Sequence, residues 1–162
     1  MQYGSAQGYT GLIESSKSFI NKHECICTSD DDIIITTGSQ QGLDLVSKIF
    51  CDEGDYVVVE NPSYLGALNS FKCNGVKLLG VSLEEDGVNL KELEEAFKKG
   101  PKVFYTIPNF GNPSSITMSL EKRKAVYKLA VKYQIPILED NPYGYLRFSG
   151  NEYIPPIKSF DQ

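Results

Sequence analysis

The chain alternates between two patterns of hydrophobic positions: short β-branched runs, and longer stretches with apolar residues three or four positions apart. The short runs predict five buried strands, because β-branched residues suit a parallel sheet that is covered on both faces. In chain order these predicted strands are Asp32–Thr37, Tyr56–Val59, Val76–Val81, Val103–Ile107 and Ile135–Leu138.

The longer stretches predict amphipathic helices between the strands. Asn89 and Ser119 are typical N-caps of two of them, and Glu92 stands where a capping box has its acidic residue. The other predicted helices are Gly11–Lys22, Gly42–Phe50 and Tyr64–Phe71. Strands that alternate with helices in this way indicate an α/β fold in three layers, with a mainly parallel sheet and helices on both faces.

Composition narrows the classes of function. The 162 residues carry 16 Lys and Arg against 21 Asp and Glu, a net charge of −5, so a basic surface for nucleic acid is not expected. No apolar run reaches the roughly 18 residues that span a bilayer, and no signal-peptide pattern follows Met1. We therefore expect a cytoplasmic protein in which this segment binds neither a membrane nor nucleic acid.

The cysteines and the single histidine give little support to a metal site or a nucleophilic triad. Cys25, Cys27, Cys51 and Cys73 contain no CxxC pair. We expect them to be reduced core residues, and no metal is predicted. His23 lies in a polar stretch, which favours a solvated surface histidine over a catalytic one.

Candidate chemistry follows the predicted strands, at the edge where open α/β sheets bind their ligands. Gly38, Ser39 and Gln40 follow the first predicted strand and open a helix. The free N–H groups and the dipole of such a helix start suit a phosphate, although the turn can also be a plain connection. Tyr64 follows the second predicted strand, and it can either stack on a flat ring or pack as a half-buried side chain.

Further polar groups follow the last two predicted strands. Asn112 precedes a proline, and its amide can aim at a ligand or close an Asx turn. Glu139, Asp140 and Tyr143 follow the final strand. Two carboxylates at the end of a buried strand are unfavourable unless they pair with a cation. Alternatively, one of them can cap the following loop. Together these groups suit a flat, phosphorylated, cationic heteroaromatic ligand, and pyridoxal phosphate has that chemistry.

At these residues the chain resembles the fold type I pyridoxal-phosphate-dependent aminotransferases of class I/II. It is most similar to the branch with aminoadipate and kynurenine aminotransferases and with the aminotransferase-like domains of MocR-type regulators. The resemblance implies the large-domain fold of these transferases. The motifs that carry it cover nearly the whole chain and are Tyr3-Gly4, Gln7-Gly8-Tyr9, Ile34–Leu45, Asn61-Pro62-Ser63-Tyr64, Asn112-Pro113 and Glu139-Asp140-Asn141-Pro142-Tyr143-Gly144.

The resemblance implies binding roles for the residues at the first two sites. Gly38, Ser39 and Gln40 would hold the cofactor phosphate, and Tyr64 would stack on the pyridine ring. Tyr3 would reach the cofactor of the neighbouring subunit, so the full-length form is expected to be a homodimer.

The resemblance also implies the candidate catalytic residues, Asp140 and Tyr143. Tyr143 and Asn112 would bind the phenolate oxygen of the ring. Asp140 would pair with the ring nitrogen and keep it protonated, so that the charged ring can withdraw electrons.

This chain departs from the family pattern around Asn112. The usual Asn-Pro-Thr-Gly is Asn112-Pro113-Ser114-Ser115 here, and Gly111 stands where the family often has Gln. The family's Schiff-base lysine and its phosphate- and substrate-binding arginines lie in segments that these residues do not match, and Lys158 has the wrong context to replace that lysine. Residues 1–162 are therefore expected to be the central part of a large domain truncated at both ends, with residues 1–10 and 151–162 as connecting segments.

Three functions are compatible with the sequence. The first is a fragment of an enzyme of amino-acid metabolism or biosynthesis, an aminotransferase that transfers an amino group between an amino acid and a 2-oxo acid. The fragment itself would be inactive and would bind pyridoxal phosphate weakly or not at all. The second is the effector domain of a MocR/GntR-like transcriptional regulator, although Asn112-Pro113 and Asn141–Gly144 look more like the enzymes. The third is a cofactor-free α/β domain of the flavodoxin kind, which would make the motifs a coincidence.

Overall fold

The described residues form a central five-stranded sheet, with its strands in the order β3-β2-β1-β4-β5. The computed structural model describes residues 4–24, 26, 28–148 and 153–161. Strand β3 pairs antiparallel with β2, and the other neighbours pair in parallel, so the sheet is mainly parallel as the sequence predicts. The strands are β1 (Tyr56–Asn61), β2 (Lys77–Glu84), β3 (Gly87–Val88), β4 (Val103–Thr106) and β5 (Ile137–Glu139).

In the part of the chain that the structure describes, five helices and a short 3₁₀ turn accompany the sheet. They are α1 (Thr10–His23), α2 (Ser39–Phe50), α3 (Leu65–Cys73), α4 (Leu90–Phe97), α5 (Leu120–Tyr133) and the 3₁₀ turn Ile157–Phe160. The two predicted N-caps are confirmed, because Asn89 accepts the N–H of Glu92 at 2.9 Å and Ser119 accepts that of Lys122 at 3.2 Å. Glu92 does not close a capping box. Its carboxylate instead accepts the backbone N–H of Ser82 on β2 at 2.8 Å.

Helices cover both faces of the sheet, and each face has its own hydrophobic core. On one face, α2 and α3 pack over a cluster that includes Val57, Phe71 and Tyr105. On the other, α4, α5 and the 3₁₀ turn pack over a cluster that includes Val58 and Phe104. Val57 and Val58 are neighbours on β1 and point to opposite faces, as residues of a strand must. The predicted three-layer arrangement is confirmed.

The first predicted strand, Asp32–Thr37, is not a strand in the structure. Ile35 donates its backbone N–H to the carbonyl oxygen of Gln7 at 2.8 Å, and Ile34 is 61% exposed. A β-branched run becomes a strand only where a neighbouring strand completes its hydrogen-bond ladder. Within the described part of the chain this run has no such neighbour, so the prediction was wrong at this element.

The tail packs more closely than its composition suggests. Ile157 is 2% exposed in the core next to α5, and the ring of Phe160 lies 6.1 Å from that of Tyr127. The carboxylate of Glu139 accepts the N–H groups of Ile157 and Lys158 at 3.0 and 3.1 Å. Residues 153–161 therefore belong to the folded body and are not a loose connection.

The cysteine prediction holds only in part. Cys51 is half-buried and Cys73 is exposed, both as free thiols, so Cys73 is not a core residue. Cys25 and Cys27 lie outside the described residues. His23 is exposed, as expected. Among the described residues there is no group of three or more His, Cys, Asp or Glu side chains that could hold a metal ion, and no helix is long and apolar enough to cross a bilayer.

Candidate active site

Three parallel strands end side by side at one edge of the sheet and bring polar groups together. Thr106 on β4 lies opposite Glu139 on β5, and its hydroxyl donates to the carboxylate of Glu60 on β1 at 2.5 Å. Tyr64 and Asp140 follow these strands and therefore start from this same edge. This is the carboxyl edge, where ligands bind in open α/β sheets.

Helix α2 presents an open N-terminus. Gly38, its N-cap, has φ of +116°, which favours glycine, and apart from its two chain neighbours no atom of the described residues lies within 4 Å of the position that a Cβ would take. Ser39 and Gln40 are exposed, and their N–H groups belong to the first helical turn, which has no intrahelical acceptors. These N–H groups and the positive end of the helix dipole can hold an anion.

The side chain of Gln40 takes no part in that open end. Its amide donates to the carbonyl oxygen of Gly66 at 3.3 Å and to the hydroxyl of Ser70. The side-chain oxygen of Gln41 accepts the backbone N–H of Thr37 at 2.7 Å, which closes the preceding turn. Gln40 therefore joins α2 to α3, and only its backbone N–H is left for an anion.

Tyr64 is the N-cap of α3 and is half-buried against the cluster that contains Tyr105. Its ring lies over Gly66, because a Cβ at Gly66 would come within 2.5 to 2.6 Å of ring atoms. The packing role that the sequence left open is therefore present. The exposed remainder of the ring leaves room for the stacking role as well.

Asp140 follows β5 and is held by a buried phenol. The hydroxyl of Tyr105 donates to Oδ2 of Asp140 at 2.8 Å, and the backbone N–H of Asp140 donates to the carbonyl oxygen of Thr106 at 2.9 Å. Burial, together with the charge of Asp140, raises the pKa of Tyr105 far above its ordinary value, so Tyr105 remains a donor. Oδ1 of Asp140 has no hydrogen-bond or ion-pair partner among the described residues.

The neighbouring carboxylate, Glu139, is used differently. It caps the 3₁₀ turn through the N–H groups of Ile157 and Lys158. Burial raises the pKa of Glu139, while those two N–H groups and the charge of Arg123 oppose the rise. Glu139 therefore caps the 3₁₀ turn of the tail and not the loop that follows β5, and among the described residues Asp140 makes no capping bond to that loop either.

Asn112 and Tyr143 are both half-buried. Among the described residues neither the amide of Asn112 nor the hydroxyl of Tyr143 makes a hydrogen bond, so Asn112 does not close an Asx turn. The loop around Asn112 is closed instead by the N–H of Gly111, which donates to the carbonyl oxygen of Ile116 at 2.9 Å. Ser115, which stands where the family has glycine, adopts a left-handed φ of 60°.

Contacts join three of the predicted site residues, Gln40, Tyr64 and Asp140, along one edge of the sheet. Gln40 contacts Gly66 beneath Tyr64, Tyr64 packs against the cluster of Tyr105, and Tyr105 binds Asp140. No hydrogen bond joins Asn112 to Tyr143 within the part that the structure describes. Tyr3 lies outside the described residues.

Sequence reasoning missed the buried polar side chains that pack behind the site residues. Tyr105 is such a residue, and the signal was a phenol in the middle of an apolar strand, where its hydroxyl needs a partner. Arg123 is another: it lies three positions before Val126 on the apolar face of α5 and is fully buried. A third is Glu60, which is 4% exposed and whose pKa burial raises to about 7.

Comparison with known proteins identifies the family. The model of the class I and II aminotransferases matches residues 1–157. The aromatic-amino-acid aminotransferase 1 of Thermococcus litoralis is 41% identical over 100% of this chain and 40% of its own length.

Two solved structures are also similar. The kynurenine aminotransferase of Pyrococcus horikoshii, in complex with PMP, superimposes with a TM-score of 0.91 at 41% identity, over 99% of this chain and 41% of its own. The α-aminoadipate aminotransferase of Thermus thermophilus, complexed with N-(5′-phosphopyridoxyl)-L-leucine, gives a TM-score of 0.86 at 34% identity, over 98% of this chain and 39% of its own. This chain thus spans about 40% of the length of the relatives it matches. Because the family model matches nearly all of it, the chain belongs to the class I and II aminotransferase family.

Proposed function

We propose that this chain forms the central cofactor-binding part of a pyridoxal-phosphate-dependent aminotransferase, which transfers an amino group between an amino acid and a 2-oxo acid. The carboxylate of Asp140 carries the proposal. Tyr105 holds its Oδ2 at 2.8 Å, and its Oδ1 has no partner among the described residues. A half-buried carboxylate without a cation is unfavourable, and the protonated ring nitrogen of pyridoxal phosphate is the cation that would complete it.

The phosphate and the ring face of that cofactor have matching groups in this chain. Gly38 leaves the N-terminus of α2 open, and the exposed N–H groups of Ser39 and Gln40 suit the phosphate. The half-buried ring of Tyr64 suits stacking on the pyridine ring. This fit requires no rearrangement of Gln40, whose side chain stays bound to α3.

The remaining groups suit the polar edge of the ring. The amide of Asn112 and the hydroxyl of Tyr143, which have no partner in the described part of the chain, can bind its phenolate oxygen and orient it. Asp140 would hold the proton on the ring nitrogen. When bound, pyridoxal phosphate supplies an electron-withdrawing ring that stabilises negative charge on the substrate carbon that carries the amino group.

We also propose that residues 1–162 are the central part of the large domain, and that the complete enzyme is a cytoplasmic homodimer. The chain spans about 40% of the length of its relatives, which supports a partial domain. Ile49 and Leu65 are 72% and 66% exposed, and apolar side chains of this kind suit burial against further protein. The family resemblance assigns Tyr3 to the neighbouring subunit's cofactor.

The other two functions have less support. A MocR/GntR-like regulator would use the same pocket, but none of the relatives named above is a regulator. A winged-helix domain in the complete protein would be the observation in its favour. The cofactor-free domain of the flavodoxin kind is contradicted by the family match.

Binding of pyridoxamine 5′-phosphate tests the proposal, because this form of the cofactor needs no lysine for attachment. The chain contains no Trp, so its own emission leaves the fluorescence of the ligand clear for a titration. We expect weak, saturable binding by the 162-residue chain. Asp140→Asn should weaken it about tenfold, as the loss of one charged hydrogen bond implies.

Asp52→Asn is the matched control. Asp52 is an exposed carboxylate in the turn before β1, at the opposite end of that strand from the site. It should bind the ligand as the unmodified chain does. Equal affinity of the Asp140→Asn variant and the unmodified chain would contradict the role of Asp140, and with it the proposed cofactor site.

We expect no transaminase turnover from the 162-residue chain alone. The family's Schiff-base lysine is not matched by any of these residues. Lys158 cannot replace it, because its Nζ lies 3.0 Å from a carboxylate oxygen of Asp31 and 2.7 Å from one of Asp161. Turnover of any amino acid and 2-oxo acid pair by the purified chain would contradict this expectation.

A further inference from the structure

Arg123 on α5 is a fully buried cation that forms no salt bridge among the described residues. A buried guanidinium is costly unless its N–H groups all have acceptors. Here each of the five N–H groups has one. The acceptors are the carbonyl oxygens of Met118 (3.0 Å), Ile154 (3.3 Å), Pro155 (3.0 Å) and Pro108 (3.0 Å), and Oδ1 of Asn109 (2.7 Å).

This arrangement rules out direct contact of Arg123 with a ligand, since none of its donors is free. Its contacts instead join α5 to two other segments. One is the tail at Ile154 and Pro155. The other is the loop of residues 107–118, which carries Asn112 and which we call the Asn112 loop.

Asn109 extends the network to a third segment. Because its Oδ1 accepts from Arg123, its amide is fixed with Nδ2 facing the other way, where it donates to Oδ1 of Asn141 at 2.8 Å. Asn109 is 5% exposed, so water cannot easily replace either bond. Asn141 lies next to Asp140 in the loop of residues 140–146, which also carries Tyr143 and which we call the Asp140 loop.

We propose that Arg123, acting through Asn109 and Asn141, is a positioning residue that sets the Asn112 loop against the Asp140 loop. The two loops carry Asn112, Asp140 and Tyr143, the groups assigned above to the polar edge of the cofactor ring. This inference rests on the proposed function, because the two loops need to be positioned only if they bind the cofactor ring. The network itself stands on the five hydrogen bonds of Arg123 and the bond from Asn109 to Asn141.

Amide hydrogen exchange of the 162-residue chain tests the network without any cofactor. Asn141→Ala removes the acceptor of Asn109 and should raise exchange in residues 140–146 about tenfold, while the tail stays protected. Asn141→Asp keeps an acceptor oxygen and should restore the protection. Arg123→Lys, which keeps the charge and loses the fork, should raise exchange in both loops and in the tail. Lys124→Gln removes the adjacent exposed cation of α5 and serves as the control.

Ligand binding supplies a readout that a general loss of stability would not give. The backbone N–H groups of α2 that are assigned to the phosphate lie outside the network. Asn141→Ala should therefore weaken the binding of pyridoxamine 5′-phosphate and leave the binding of inorganic phosphate unchanged. Equal weakening of both ligands would overturn the positioning role. So would unchanged exchange in residues 140–146 of Asn141→Ala, or an Asn141→Asp variant that behaves like Asn141→Ala.

The two proposals can fail separately. If the unmodified chain binds no pyridoxamine 5′-phosphate, the proposed cofactor site fails. The exchange pattern of the Asn141 pair still decides whether the network holds the two loops together, and this pair remains usable if Arg123→Lys does not fold.

Discussion

Replacing Glu60 by glutamine should make the chain more stable at neutral and alkaline pH. Glu60 is the last residue but one of β1 and has 4% of its surface exposed, and no cation among the described residues pairs with it. Burial raises its pKa from 4.5 to about 7, although the hydroxyl of Thr106 and the N–H of Ile107 oppose the rise. The folded chain therefore favours the protonated acid more than the unfolded chain does.

The sign of the pH dependence follows from proton binding. Between pH 4.5 and about 7 the folded state holds the proton of Glu60 while the unfolded state has lost it. The free energy of unfolding therefore falls as the pH rises through this interval. Below pH 4.5 Glu60 is protonated in both states, and its ionisation does not lower the free energy of unfolding. Above about pH 7 Glu60 is ionised in both states, and the free energy of unfolding is lowered by the full amount.

The difference between the two pKa values of Glu60, 4.5 and about 7, gives the magnitude of this loss of stability. At about 1.4 kcal/mol for each pH unit, the ionised Glu60 costs roughly 3 kcal/mol at pH 8. Glutamine avoids this cost and keeps both neighbours satisfied. Its oxygen can accept the N–H of Ile107 while its amide donates to the hydroxyl of Thr106.

Urea unfolding followed by circular dichroism between pH 4 and 9 measures the difference. The curves for the unmodified chain and Glu60→Gln should meet near pH 4.5 and separate by up to about 3 kcal/mol above pH 7. Glu139, whose pKa burial also raises, remains in both chains and cancels in the comparison. Glu85→Gln, in the exposed turn between β2 and β3, is the control and should follow the unmodified chain. A difference that does not change with pH, or a variant that is less stable at pH 8, would refute the reasoning.

Three further predictions concern stability and association. Ser115→Gly should raise the free energy of unfolding by about 1 kcal/mol in the same urea assay, because φ at Ser115 is 60° and glycine adopts this conformation without steric cost. A destabilised variant would count against it. Ser47→Ala should add about 0.5 to 1 kcal/mol, since the buried hydroxyl of Ser47 has no hydrogen-bond partner among the residues that the structure describes and alanine is the better helix former in α2; a loss above 1 kcal/mol would show that the hydroxyl is bonded. The purified chain should self-associate through exposed apolar side chains such as Ile49 and Leu65, and a monomer at high concentration in analytical ultracentrifugation would contradict this.

The sequence predicted the elements whose signals are local. Helices α4 and α5 were predicted because their apolar spacing and their caps lie within a few residues of each other. The run Asp32–Thr37 was not correctly predicted, because a strand depends on a neighbour as well as on its own residues. Strand β3 (Gly87–Val88) was missed, since two residues carry no periodic pattern.

The sequence predicted the site residues that follow the strands but not the buried residues that hold them in place. The order of strands and helices sends Tyr64 and Asp140 to the same edge whatever the details of packing. The capping of the tail by Glu139 could not be predicted, because the N–H groups that Glu139 accepts come from residues 18 and 19 positions further along the chain. The bond from Tyr105 to Asp140 likewise joins residues 35 positions apart, and sequence spacing gives no sign of it.

Gly66 serves two parts of the candidate site at once. Its carbonyl oxygen accepts the amide of Gln40, which docks the start of α2, and its missing side chain leaves space for the ring of Tyr64. Any larger residue at this position would displace the ring, and a shift of the backbone to relieve the clash would also move the turn assigned to the phosphate. In a mutational scan position 66 would thus be as intolerant as a catalytic residue, although it carries no reactive atom. Loss of activity on substitution would identify it as part of the scaffold of the site and not of its chemistry.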